Sequence, residues 1–324
     1  MARTSVIICA YTMERWHDLV EAVDSLHKQT VQPHEIIVVI DHNPELLQRT
    51  QQEISGITCI PNAQKQGLSG ARNTAIDMAT GEILAFMDED AAAAPNWLEL
   101  LEAGFTSPDI LGVGGAIVPN WVGTEPKWFP SEFNWVVGCT YTGLPESLAP
   151  IRNLIGCNMA FRRDVFETVG GFRTGMGRIG KVPVGCEETE LCIRALQHYD
   201  GGSFLYEPQA KVLHRVPDAR ANFKYFRSRC YAEGLSKAQV AHFVGADDGL
   251  SSERTYTFKT LPLGVLRGLG DTLFKFDISG TGRAAAIVIG LFTTTYGYLK
   301  GKIQQRLGLL DINDVSQQPA LAES

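Results

Sequence analysis

"GEILAFMDEDAAAAPNWLELL", residues 81–101, is the stretch whose reading decides the fold. Ile83 to Met87 form a continuous apolar run that ends in three acids, Asp88, Glu89 and Asp90. A short apolar run of this kind reads as a strand buried on both faces. Like charges this close repel, so a positive partner is expected where the strand ends. Four alanines follow, then a helix-like pattern starting near Pro95.

Working outward, the first half alternates strand and helix patterns. "SVIICAY" (5–11), "HEIIVVID" (34–41) and "ISGITCIPN" (54–62) carry further strands. "MERWHDLVEAVDSLHKQT" (13–30) spaces Trp16, Leu19, Val20, Val23 and Leu26 as one helix face, and "GLSGARNTAIDMATG" (67–81) reads as a second helix, opened and closed by glycine. Strands apolar on both faces and separated by helices predict a doubly wound α/β unit with a mainly parallel sheet. This unit is expected to run to about residue 115.

The second half is less regular. It holds an aromatic stretch with Trp121, Trp128, Phe129 and Trp135, then "LIGCNMAFRRDVFETVGGF" (154–172), a helix over "EETELCIRALQHY" (187–199) and "SFLYEPQAKVLHRV" (203–216). After Asn222 the pattern turns helical. The expected organisation is one domain over 1–235, with halves 1–115 and 116–235, a helical extension over 236–310 and a disordered tail over 311–324. No internal repeat is visible.

Composition narrows the function. The chain of 324 residues carries a net charge of −7, which opposes nucleic acid as a partner. Seven cysteines, Cys9, Cys59, Cys139, Cys157, Cys186, Cys192 and Cys230, form no C-x-x-C pair and read as reduced thiols of a cytoplasmic protein. The first residues, "MARTSVIICAYT", run straight into a strand and are too short for a signal peptide. "LGVGGAIVPN" (111–120) lacks the full dinucleotide-binding glycine pattern.

In open α/β sheets ligands bind at the carboxyl ends of the strands. In an extended chain Asp88 and Asp90 face the same way while Glu89 points elsewhere. Two convergent carboxylates suit magnesium or manganese, hard cations that recruit substrate phosphates. A solvated acidic turn capping the next helix is the plainer alternative.

Taken in order, "SVIICAYTMERWHDLVEAVDSLHKQT", "EIIVVID", "GLSGARNTAIDMATGEILAFMDED", "GCNMAFRRDVFETVGGF" and "EETELCIRAL" resemble the inverting family 2 glycosyltransferases of the GT-A fold. The resemblance spans roughly Ser5 to Gly234. It implies transfer of a sugar from a nucleotide-diphosphate donor to a saccharide or lipid-linked hydroxyl, in polysaccharide or glycolipid synthesis. It implies a divalent ion, Mg or Mn, on Asp88 and Asp90, with His214 approaching it, and Ala10, Tyr11 and Glu14 beside the nucleoside. Tyr11 can stack on a base or pack beneath its loop. Relatives usually carry two adjacent aspartates where only Asp41 stands, followed by His42 and Asn43.

Gly67 and Arg72 lie at a helix start, where exposed N–H groups and a guanidinium favour a diphosphate. Arg72 can instead tie an acid of the sheet edge. The resemblance gives the general base to the second acid of "EE", Glu188, with Glu187 as its neighbour and substitute. Arg227, Arg229 and Tyr231 can close over a diphosphate or form an exposed helix face. A nucleotidyltransferase would want a Gly-rich loop after the first strand, which "CAYTMER" lacks, and a non-catalytic carbohydrate-binding or scaffold protein is the other alternative. The basic stretch 254–306, with eight basic and two acidic residues, combines "FKTLPLGVLRGLGDTLFKF" (258–276) with an apolar run too short to span a bilayer. Phe258, Leu261, Val265, Leu269, Leu273 and Phe276 are expected on one face, held against anionic lipid at the inner surface of the membrane, or else packed on the catalytic domain or against a second copy of the chain.

Overall fold

The computed structural model describes residues 3–176, 185–245 and 254–308. The tail 311–324, expected to be disordered, lies outside them. The chain divides into two compact units. Among the described residues, one comprises those up to Val118 together with those from Pro145 to His214, and the other Pro119–Leu144 together with those from Arg215 onward.

The first unit is built on the strands read from the sequence. β1 (Thr4–Ala10), β2 (Glu35–Ile40), β3 (Thr58–Pro61) and β4 (Ile83–Asp88) pair in parallel in the order β3-β2-β1-β4. Every residue of β1 is buried, as are five of the six in β2 and in β4. That is the burial a sheet covered on both faces requires. β4 then pairs antiparallel with β8 (Asn158–Arg162), and the order continues through β6 (Ile110–Trp121), β9 (Ser203–Val216) and β5 (Ala91–Ala93). The short β7 (Ala149–Ile151) also pairs with β9.

α1 (Trp16–His27) buries Trp16, Leu19, Val23 and Leu26 of the expected stripe, while Val20 is only half-buried. α2 (Pro44–Glu53) carries its own start signal, Asn43 accepting from the Leu46 N–H and proline in the first turn. α3 (Leu68–Met78) lies between β3 and β4, and α4 (Trp97–Ala103) follows β5. α5 (Arg163–Val169) and α6 (Glu187–His198) complete the unit. Phe86 of β4 sits at the core, edge-on to Phe161, Phe166 and Phe172 at 5.5–6.3 Å. Such aromatic pairs add to the stabilisation from burial alone.

The alanines after Asp90 differ from their sequence reading as a simple lead into a helix. Ala91–Ala93 form β5, in antiparallel register with β9 so that Ala91 faces His214. The helix begins only at Trp97. Small side chains suit this short edge strand, and its pairing brings His214 next to the acidic end of β4.

The second unit is helical. α7 (Phe223–Phe243) starts at Asn222, whose side chain accepts from the Tyr225 N–H. Residue 235, the expected domain boundary, falls inside this helix. α7 packs against α9 (Ser279–Arg306) at glycines. A Cβ on Gly234 would lie 2.1 Å from the Thr294 carbonyl oxygen, and one on Gly297 2.3 Å from that of Tyr231. The aromatic stretch forms a second core: Trp128, Phe129 and Phe133 each place their ring within 5.3–5.7 Å of Phe226.

Of the expected stripe, Phe258, Leu269, Leu273 and Phe276 are exposed, Val265 is half-buried, and Leu261, the first residue of α8 (Leu261–Phe274), is buried. Leu261, Gly264 and Gly268 are buried, whereas Leu263, Leu266, Leu269 and Leu273 are exposed. Glycine is the reason, because Gly268 lets α8 approach Gly280 of α9 backbone to backbone. Arg283 clips the turn between the two helices to Asp271 at 2.9 Å and Asp277 at 2.8 Å. No helix among the described residues is long and apolar enough to cross a membrane.

Candidate active site

The three acids at the end of β4 meet their expected positive partners. Arg15, just before α1, reaches Glu89 at 2.6 Å and Asp90 at 3.0 Å. Arg72, on α3, lies 3.4 Å from Asp88. The strict alternation of the sequence reading stops at Asp88, because Glu89 and Asp90 lie in the turn that follows β4. Glu89 is therefore not turned away from Asp90 but shares Arg15 with it. Burial drives the Glu89 carboxyl up to about 7, with Arg15 opposing and Asp90 and Asp88 adding to the rise.

Arg72 is the hub. It is 2% exposed, and it donates to Glu187 Oε1 at 2.8 Å and to the Gly156 carbonyl at 3.0 Å. Its guanidinium also lies over the Phe172 ring, 5.3 Å from the centroid. Burial works against its charge, but the carboxylates of Glu187 and Asp88 outweigh it and hold the pKa above the ordinary arginine value. Arg72 thus takes the acid-pairing role anticipated as its alternative, and takes it with two acids from distant parts of the chain.

Glu187 and Glu188 stand in the first turn of α6, where the helix dipole favours negative charge. Cys186 before them adopts φ 72°, a left-handed conformation uncommon outside glycine. Glu187 is buried against Arg72, while Glu188 is half-buried and close enough to contribute to the raised Arg72 pKa. Glu190, fully buried, anchors the helix through Arg173 at 2.6 Å and Arg194 at 2.9 Å.

His214 Nε2 lies 3.2 Å from Asp90 Oδ1. Ligand atoms of Asp88, Cys157 and His214 all fall within 4.8 Å of one another. Metal–ligand bonds of about 2.0–2.3 Å set the ligand atoms of a tetrahedral ion about 3.3–3.8 Å apart, so this group would take a divalent cation by closing up to about 1 Å. Asp90, expected as a ligand, is not in that group; it lies between Arg15 and His214.

The expected donor-binding residues occupy neighbouring strand ends. Ala10 is buried at the end of β1, and Tyr11 beyond it lies under the Arg15 guanidinium at 5.6 Å. Glu14 is exposed. Asp41 accepts from Asn62 Nδ2 at 2.7 Å and from the Gly67 N–H at 2.9 Å, so both its oxygens already tie the turn before α3. A carboxylate has further lone pairs and can still accept from a ligand. Gly67 has φ 125°, which a side chain would strain. Arg227, Arg229 and Tyr231 lie on α7, in the helical unit.

Two participants escaped the sequence reading. Arg15 reads as one charge of an amphipathic helix until the fold sets it beside the acids. Cys157 stands in the turn before β8, and only the pairing of β8 with β4 brings that turn to Asp88. Asn158, next to it, is fully buried and saturated, accepting from Trp97 Nε1 and donating to the carbonyls of Ala116 and Ala210.

With this geometry defined, the class follows. Residues 5–170 match the model of "Glycosyl transferase family 2". The chain is 37% identical over 311 residues to the "Glucosyl-dolichyl phosphate glucuronosyltransferase" of Haloferax volcanii, covering 94% of this chain and 98% of that protein. It is 27% identical over 243 residues to the "Succinoglycan biosynthesis protein ExoM" of Rhizobium meliloti, covering 72% and 73%. Among solved structures, a mannosyltransferase of Pyrobaculum calidifontis in complex with GDP-Man and Mn2+ superimposes with a TM-score of 0.54 at 17% identity, covering 91% and 87%. The chain belongs to glycosyl transferase family 2; it is a glycosyltransferase of GT-A fold.

Removing Arg72 should expose how much of the site it holds. Arg72→Met leaves Glu187 buried without its partner and is expected to cost about 3–5 kcal/mol in urea unfolding. Adding Glu187→Gln should then cost far less than it does alone, with a coupling of at least about 1 kcal/mol. Additive losses would show that the pair does not act as a unit.

Proposed function

We infer that this glycosyltransferase is an inverting, metal-dependent enzyme that moves a sugar from a nucleotide-diphosphate donor to the hydroxyl of a lipid-linked saccharide. The observation that carries the reading is the buried Arg72, bridging Asp88 at the end of β4 and Glu187 at the start of α6. It supports a single site in which donor-holding and proton-accepting groups lie together.

In this reading Glu188 is the general base. Glu187 is committed to Arg72, whereas Glu188 is half-buried in the same helical turn. A base must be ionised and within reach of the hydroxyl it deprotonates, and the helix N-terminus favours the ionised form. Glu188 takes the acceptor proton as the hydroxyl attacks the anomeric carbon, and the bond to the diphosphate breaks on the opposite face. Arg72 supplies fixed positive charge toward the developing diphosphate. Asp88 and His214 would hold the divalent ion, Mg or Mn, with Asp90 orienting the imidazole as carboxylates commonly do. When bound, the ion supplies Lewis-acid stabilisation of the leaving group. Ala10, Tyr11, Glu14, Asp41 and Gly67 line the side assigned to the nucleoside and diphosphate.

The acceptor class is supported by the name of the Haloferax volcanii relative, whose length the chain matches almost entirely. The helical unit supports a peripheral position on the cytoplasmic face of an anionic membrane. Phe274, Phe276 and Ile278, around the turn between α8 and α9, are 83, 86 and 83% exposed. Lys259, Arg267 and Lys275 lie in the same segment, which suits an interfacial helix pair.

Glu188→Gln is expected to bind donor as the unaltered enzyme does while losing transfer by a factor of roughly 100 or more. Isothermal titration of donor together with a single-turnover assay checks both halves, and a larger loss in Glu187→Gln would move the base by one position. Full-length protein is expected to float with anionic vesicles and not with neutral ones, and Phe274→Ser/Phe276→Ser to reduce the bound fraction several-fold. Failure to float, together with a dimer that the double substitution converts to monomer, would make this face an interface between copies.

A further inference from the structure

We propose that Cys157 is a direct ligand of the metal, completing a carboxylate–imidazole–thiolate set with Asp88 and His214. The inference rests on the metal-dependent reading above and adds to it a residue and a metal preference.

Strand register makes the argument. β4 and β8 run antiparallel with Met87 opposite Asn158 and Phe86 opposite Met159. The ladder ends at Met87 and Asn158, and Cys157, in the turn just before β8, comes to lie beside the strand end that carries Asp88. β5 then pairs Ala91 with His214, bringing the imidazole to the same end of the sheet. The loop carrying Cys157 is tied in place, because the carbonyl of Gly156 accepts from Arg72 at 3.0 Å. The three residues come from β4, the turn before β8 and β9, and their ligand atoms lie within 4.8 Å of one another.

The site selects among the cysteines. Cys9 of β1 pairs in register with Asp88, yet its sulfur is outside the group. Burial pushes the Cys9 thiol far above the ordinary range, with Arg72 only partly opposing, as expected for an inert core thiol. Cys157 is also buried, but with a carboxylate and an imidazole converging on it.

Ligand chemistry then sets the preference. Magnesium takes oxygen ligands and dehydrates reluctantly, whereas a thiolate favours the softer divalent ions. The site should therefore hold cobalt or zinc in preference to magnesium. Binding converts the Cys157 thiol to a thiolate: the S–H bond breaks, the proton leaves to solvent, and the sulfur lone pair forms the bond to the ion. No oxidant or reductant is involved.

The test is cobalt titration of the full-length protein followed by absorption spectroscopy. One equivalent of Co2+ should produce a near-ultraviolet sulfur-to-cobalt charge-transfer band. Cys157→Ser should lose the band and bind Co2+ at least about tenfold more weakly, by the scale of lost metal-site partners. Cys9→Ser should keep the band. X-ray absorption on the zinc-loaded unaltered protein removes any dependence on how the variants fold, and should show one sulfur at about 2.3 Å. Cobalt binding that Asp88→Asn abolishes, but with no charge-transfer band and only nitrogen and oxygen neighbours, would overturn Cys157 as a ligand and leave the metal reading standing. No binding of Co2+, Zn2+ or Mn2+ by the full-length protein would overturn both.

Discussion

A guanidinium buried to 2% exposure and shared between Asp88 and Glu187 is the constraint on which the site depends. Withdrawing such a charge from water costs several kcal/mol, which only close and well-directed partners offset. Arg72 has them: a carboxylate at 2.8 Å, a carbonyl at 3.0 Å and the face of Phe172. Each partner belongs to a different stretch of the chain, so the arginine is satisfied only when β4, the loop before β8 and α6 are all in place. The same contact that stabilises the fold therefore fixes the acids relative to one another.

Positioning elsewhere is done by the sheet ladder. The change from parallel to antiparallel pairing at β4 turns the start of β8 toward the strand end that carries the acids. β5, only three residues long, adds His214 through its pairing with β9. Sites built on strand registers are held to narrow tolerances, which metal and phosphate chemistry both require. Arg15 completes the arrangement by neutralising Glu89 and Asp90, which would otherwise repel each other in a buried turn.

Much of this was legible in the sequence, and the omissions have physical reasons. β1, β2 and β4 announced themselves because burial on both faces forces continuous apolar runs, while β3, whose residues are exposed or half-buried, showed only as the short stretch Thr58–Pro61. The acids of β4 and α6 were found because they sit where strand and helix ends must be. Arg15 and Cys157 were missed because their importance lies in pairings across tens of residues, which local patterns do not record. β5 was missed because three alanines carry no strand signal of their own. Leu269 and Leu273 of α8 are exposed as their spacing suggested, whereas the burial of Leu261 was missed because Gly264 and Gly268, silent in an apolar count, form the buried face beside it.

Asp88, His214 and the Arg72 bridge are proposed as one donor-diphosphate and metal site. The most direct measurement is a crystal structure of the protein with Mn2+ and a nucleoside diphosphate, with the ion located by anomalous scattering. The account predicts one manganese peak on Asp88 and His214, with Arg72 still joined to Glu187 and the diphosphate beside it. A manganese ion and diphosphate bound together away from these residues would contradict it.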